Sequence, residues 1–87
     1  MRVIVTPQAK KQIKKLAKIP QLAIVQKLQK LQLGLLNDTT KLKGYKDVFR
    51  IRVGNYRIVY RIRNHTNYVI LIGHRKEIYS LLDRFLR

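Results

Sequence analysis

The sequence predicts an α+β domain of order β-α-α-β-β-β-α, in which an N-terminal helical hairpin packs on a small, mostly antiparallel sheet. Three observations carry this. From Phe49 to Arg63, apolar and basic residues alternate around Gly54-Asn55, the pattern of two strands joined by a Gly-initiated tight turn. Between residues 7 and 35 the apolar positions recur at helical spacing, interrupted at Pro20. The run Tyr68 to Gly73, YVILIG, is apolar on both sides, which suits a central strand covered on both faces.

Taken in order, Met1 to Val5 is a β-branched run and reads as a strand. Thr6 is a good N-cap and Pro7 is tolerated at the first helical position, so a helix opens there. Ala9, Ile13, Leu16 and Ala17 mark its apolar face, with Lys10, Lys11, Lys14, Lys15 and Lys18 around the rest. Pro20 is expected to end it near Lys18 or Ile19. A second helix is expected from about Pro20 to Leu35, with Leu22, Val25, Leu28, Leu31 and Leu35 as its core stripe. Gly34 weakens its last turn, and Asn37 to Thr40 reads as loop.

In the hairpin a two-residue loop sets Val53 opposite Tyr56, Ile51 opposite Ile58 and Phe49 opposite Tyr60 on an apolar face. The other face then holds Arg52 opposite Arg57, Arg50 opposite Val59 and Val48 opposite Arg61. After a turn at Asn64 to Asn67, the third strand is expected to place His74 opposite Arg57, with Arg75 just past its end. Ile78, Leu81, Leu82 and Phe85 indicate a short helix between Lys76 and Arg87. The helices are expected on one sheet face and the arginines on the other. Residues 1–87 read as a single domain without repeat or linker.

Composition narrows the partners. The 87 residues include 20 Lys and Arg against 4 Asp and Glu, a formal charge of +16. Such a surface calls for an acidic partner, either nucleic acid or an acidic protein. With 46% hydrophobic residues the chain can fold. It has no cysteine, so no disulfide or thiolate site exists, and it fits a reducing cytoplasm. Neither a membrane-spanning run nor a secretory segment is visible.

Like charges directly opposite on a sheet are unfavourable, so folding alone gives no reason to gather Arg50, Arg52 and Arg57. A bound polyanion does, because guanidinium forks match phosphate oxygens. The plainer reading is a solvated basic face. Asp38, Asp47, Glu77 and Asp83 lack the clustered spacing of a two-metal site. His65 and His74 lack zinc spacing, no Gly-rich phosphate loop is present, and Ser80 has no evident base. What remains is GHRKEIY, which sets His74, Arg75, Glu77 and Tyr79 beside the arginine face. This set suits RNA cleavage without metal or cofactor. The 2′-OH attacks the adjacent phosphate, arginines neutralise the developing charge, a titratable group moves protons, and a tyrosine stacks on a base. Each residue also has a plainer role: Glu77 in a local ion pair, Tyr79 as a half-buried amphipathic side chain.

The segments LKGYKDVFRIRVGNYRIVYRI and ILIGHRKEIY together resemble the RelE/ParE superfamily of bacterial and archaeal toxins from type II toxin–antitoxin pairs. The likeness covers nearly the whole chain and is greatest to the RelE branch. It implies a small basic RNase that cuts mRNA in the ribosomal A site, leaving a cyclic phosphate and a 5′-hydroxyl. It also implies a cognate antitoxin that wraps the toxin. Arg50 and Arg52 stand where the family often has lysines. Arg57 matches the arginine after the turn, Arg75 the arginine after the third strand, and Tyr79 the C-terminal tyrosine; these five are the expected catalytic set. His74 and Glu77 are the candidates for proton transfer, and Lys43, Lys46 and Arg61 are expected to bind RNA. One departure matters. A lysine has a base-like role in relatives, and an arginine at position 50 is a poor base. The ParE branch, which inhibits DNA gyrase by protein contact, is the alternative, followed by a non-catalytic RNA-binding module. On this reading the Arg57 charge serves catalysis more than folding, and Arg57→Ala is expected to leave thermal stability unchanged.

Overall fold

Residues 1–86 are described by a computed structural model; Arg87, the expected end of the terminal helix, lies outside the described residues. The elements are β1 (Arg2–Val5), α1 (Pro7–Lys14), α2 (Lys18–Gln32), β2 (Thr39–Lys41), β3 (Val48–Val53), β4 (Tyr56–Arg63), β5 (Thr66–His74) and α3 (Ile78–Leu86). One five-stranded sheet runs in the order β1-β5-β4-β3-β2. β1 pairs in parallel with β5, and every other pairing is antiparallel.

The Thr6 hydroxyl opens α1 by accepting from the Ala9 N–H at 3.3 Å, and it donates to the Val69 carbonyl at 2.8 Å. The same residue thus caps the helix and ties it to β5. Pro20 does not end α1; it lies in the first turn of α2, where its missing N–H goes unmissed. The break therefore falls earlier, and α2 starts at Lys18. It stops at Gln32, short of Leu35, because Gly34 takes a φ of 71°. The Leu35 N–H then reaches the Lys30 carbonyl at 2.9 Å and the Gly34 N–H reaches Leu31 at 3.2 Å, satisfying the last carbonyls of the helix.

The core stripe of α2 is Ile24, Leu28 and Leu31, whereas Leu22, Val25 and Leu35 are exposed. The expected stripe advanced by threes, and each such step slips about 60° around a helix. Only part of it can face a flat sheet.

The β3–β4 register matches the expected one, with Val53 opposite Tyr56, Arg52 opposite Arg57 and Val48 opposite Arg61. Gly54 has a φ of 58° and supplies the positive-φ first position of the turn. The third strand differs. Its turn is Asn64-His65, both at positive φ (48° and 59°), so β5 begins at Thr66. A register shift between Val59 and Tyr60 then leaves Ile70 without a facing residue. Beyond this bulge His74 faces Tyr56, and Arg57 faces Gly73. A further difference is β2, which covers part of the segment read as loop. Its three residues pair with Phe49 to Ile51, too short a run for alternation to show.

Two cores flank the sheet. Ile51, Ile58, Val69 and Ile72 pack with Ala9, Ile24, Leu28 and Leu31 under α1 and α2. Phe49 stacks on Tyr60 at 5.5 Å in that layer, and burial pushes the Tyr60 hydroxyl above its ordinary pKa, a hydrogen bond with Thr39 pulling the other way. On the opposite face Val48, Val59 and Leu71 pack with Ile78 and Leu82 of α3. The helices therefore do not share one side: α3 covers the arginine face. Gly73 lets it approach, since a Cβ there would lie 3.3 Å from the Ile78 Cδ1.

Candidate active site

The sheet pleat puts Arg50, Arg52 and Arg57 on the same face as Val48 and Val59. The docking of α3 on those valines brings its first turn against the arginines. The Arg50 Nη1 donates to the Tyr79 hydroxyl at 2.6 Å. Tyr79 remains 42% exposed, so its ring is open to a ligand while its oxygen is held. Arg52 and Arg75 are exposed. Arg75 leaves β5 beside the β3–β4 turn, its backbone N–H donating to the Asn55 carbonyl at 2.7 Å. Arg50, Arg52, Arg75 and Tyr79 thus belong to the turn end of one face.

Arg57 is different. It is only 6% exposed, and its Nη1 donates to the carbonyls of Gly54 at 2.9 Å and Tyr56 at 2.8 Å. The Nε atoms of Arg50 and Arg57 are buried without an acceptor. The expectation that Arg57→Ala leaves stability untouched is reversed by this geometry. Two charge-assisted bonds to the turn are lost, which outweighs the relief of repulsion across the strands.

The proton-transfer candidates separate. His74 lies on the Tyr56 side of the sheet, its ring edge-on to Tyr56 at 5.8 Å. Its Nδ1 accepts from the Lys76 N–H at 3.2 Å. The bulge turns it away from Arg57, contrary to the expected facing pair. Glu77 is exposed just before α3, two residues from Tyr79.

The expected RNA-binding residues also separate. Lys46 and Arg61 line an open cleft of about 770 Å³ with Asp47, Arg63 and His65 at the far end of the sheet. Arg61 lies four residues from Arg57, roughly 13 Å along an extended strand. Lys43 is exposed in the β2–β3 loop. The apolar contact of α3 with Val48 and Val59 divides the cationic face into these two groups.

Sequence reasoning missed the anchors of α3. The Tyr45 hydroxyl donates to the Asp83 carboxylate at 3.2 Å. The signal was present: Val48 and Val59 are apolar on an otherwise basic face, which calls for a cover. Asp38 pairs with Lys27 at 3.6 Å. Among the described residues no three His, Asp or Glu side chains gather as a metal-ligand set, and no helix is long and apolar enough to cross a membrane.

The family model described as ParE toxin of type II toxin-antitoxin system, parDE, matches residues 3–79. The Toxin RelE3 of Methanocaldococcus jannaschii is 48% identical over 43 residues, 49% of each chain; the match thus spans about half the length of that curated relative. Among solved structures, a chain of the RelB-RelE antitoxin-toxin complex from Methanococcus jannaschii superposes with a TM-score of 0.76 at 30% identity, covering 88% of this chain and 95% of that one. The isolated RelE toxin of E. coli superposes at 0.70 and 27% identity, covering 98% of both chains.

Proposed function

The chain belongs to the RelE/ParE superfamily of type II toxin–antitoxin toxins, and we propose that within it the activity is RelE-type: ribosome-dependent endonucleolytic cleavage of mRNA in the A site. The observation that supports this most is the Arg50–Tyr79 contact beside exposed Arg52, a cationic and aromatic surface outside the core. On it the 2′-OH of one nucleotide attacks the adjoining phosphate. The bond to the 5′-oxygen breaks, leaving a 2′,3′-cyclic phosphate and a 5′-hydroxyl that takes up a proton. Arg50, Arg52 and Arg75 counter the charge of the phosphorane, and the exposed Tyr79 ring stacks on a base. Glu77 is the nearer proton-transfer candidate in sequence; the placement of His74 weakens its case. The cytoplasm, where ribosomes work, is the proposed location.

The test uses preassembled ribosome–mRNA complexes, with primer extension on the message. Cleavage is expected to survive EDTA when spermidine keeps the ribosome intact. Loss of cutting under those conditions would point to a metal. The match to the ParE model favours gyrase inhibition as the second reading; intact message together with gyrase-dependent DNA breaks would establish it.

A cognate antitoxin is the proposed protein partner, as solved relatives form RelB–RelE complexes. With a charge of +16, the toxin is expected to bind an acidic segment that masks part of the Arg50, Arg52 and Arg57 face or displaces α3. Association should slow as salt rises, because screening weakens steering. A hydrogen-exchange footprint confined to surfaces away from both would refute this.

A further inference from the structure

Arg57 is the arginine of the active face that solvent barely reaches. A buried guanidinium ordinarily faces a carboxylate. Here its partners are backbone carbonyls. Both hydrogen bonds leave one nitrogen, Nη1, for Gly54 and Tyr56. The carbonyl between them, Asn55, accepts from the backbone N–H of Arg75. Three successive turn carbonyls are therefore engaged, and the turn is stapled between the Arg57 side chain and the backbone from which the Arg75 side chain departs. The unpartnered Arg57 Nε is shielded from solvent, so that edge of the guanidinium is closed to a phosphate.

We infer that Arg57 is a positioning residue: it locks the β3–β4 turn so that Arg52 and Arg75 are aimed at the scissile phosphate, and it does not itself contact the RNA. This rests on the proposed RNA cleavage. It has two consequences that a phosphate-binding fork would not share. One nitrogen makes both contacts, so a lysine ammonium can replace it, whereas a fork on phosphate tolerates lysine poorly. No counterion is released by Arg57, so its removal leaves the salt dependence of RNA binding intact.

The experiment compares Arg57→Lys, Arg57→Met and Arg52→Met with the parent in the full chain. Amide exchange at Arg75, read in the isolated protein, is expected to speed up on the order of tenfold in Arg57→Met, the loss of about one net hydrogen bond, and to stay slow in Arg57→Lys. Single-turnover cleavage of ribosome-bound mRNA is expected to fall by up to about a hundredfold in Arg57→Met through misplacement, with most of the rate kept in Arg57→Lys. Binding of a uridine oligonucleotide is titrated against salt. Arg52→Met should lower the log–log slope by about 0.7, one single-strand phosphate contact, and Arg57→Met should keep the parental slope. A slope lowered equally in Arg57→Met, or an Arg57→Lys rate as poor as that of Arg57→Met, would overturn the inference. Should Arg57→Met not fold, Arg57→Lys decides: a folded variant that cuts normally with a fast Arg75 amide refutes the staple. A parent that leaves ribosomal mRNA intact removes the proposed function instead, and the exchange and salt measurements still decide the role of Arg57.

Discussion

Arg52→Ala is expected to slow single-turnover cleavage of ribosome-bound mRNA by on the order of a hundred- to a thousand-fold, the roughly 3 to 4 kcal/mol typical of one lost transition-state donor. Its melting temperature should stay level or rise slightly. Arg52 is exposed and directly opposite Arg57, so its removal relieves repulsion and uncovers no apolar surface. Ribosome binding should weaken far less than cutting, since the chain carries 20 Lys and Arg to share non-specific phosphate contacts. Rapid-quench kinetics and calorimetry on the same preparation separate the two effects. A large drop in melting temperature, with the folded remainder cutting at the parental rate, would make Arg52 structural and misplace the active face.

Leu82→Ala is expected to undock α3. Leu82 is buried against Val48, Val59 and Leu71, and truncating a buried leucine costs about 2 to 5 kcal/mol. The layer beneath α1 and α2 is separate from this one, so the loss is expressed as local opening before global unfolding. Tyr79 then leaves Arg50, and cleavage falls while the core melts close to its normal temperature. Exchange of the α3 amides should accelerate toward that of free peptide while the β4 amides stay protected. Uniform acceleration across both would show one cooperative unit and refute the separation.

How much of this was legible in the sequence depends on parity. In β3 and β4 the alternation is clean and Gly54 pins the turn, so every facing pair could be read. In β5 the run is apolar on both sides, and alternation carries no information there about which residue faces which core. The bulge at Ile70 leaves no mark in such a run, and the expected placement of His74 fell with it. The active face was legible for Arg50, Arg52 and Tyr79 because a basic alternation and a compact GHRKEIY segment both point to it. The burial of Arg57 was not legible, because its acceptors are carbonyls of its own turn, which no side chain encodes.

The sheet order has a kinetic consequence. β3, β4 and β5 are neighbours in sequence and join through two short turns, so this meander closes small loops and can form early. β1 is the first strand to leave the ribosome, yet its partner is β5, with Arg2 set against Thr66. Until β5 has been made, β1 has no strand to pair with, and α1 and α2 have no finished sheet beneath them. The contact of highest sequence separation therefore completes the fold, and the nascent chain carries its lysine-rich helices undocked through most of its own synthesis.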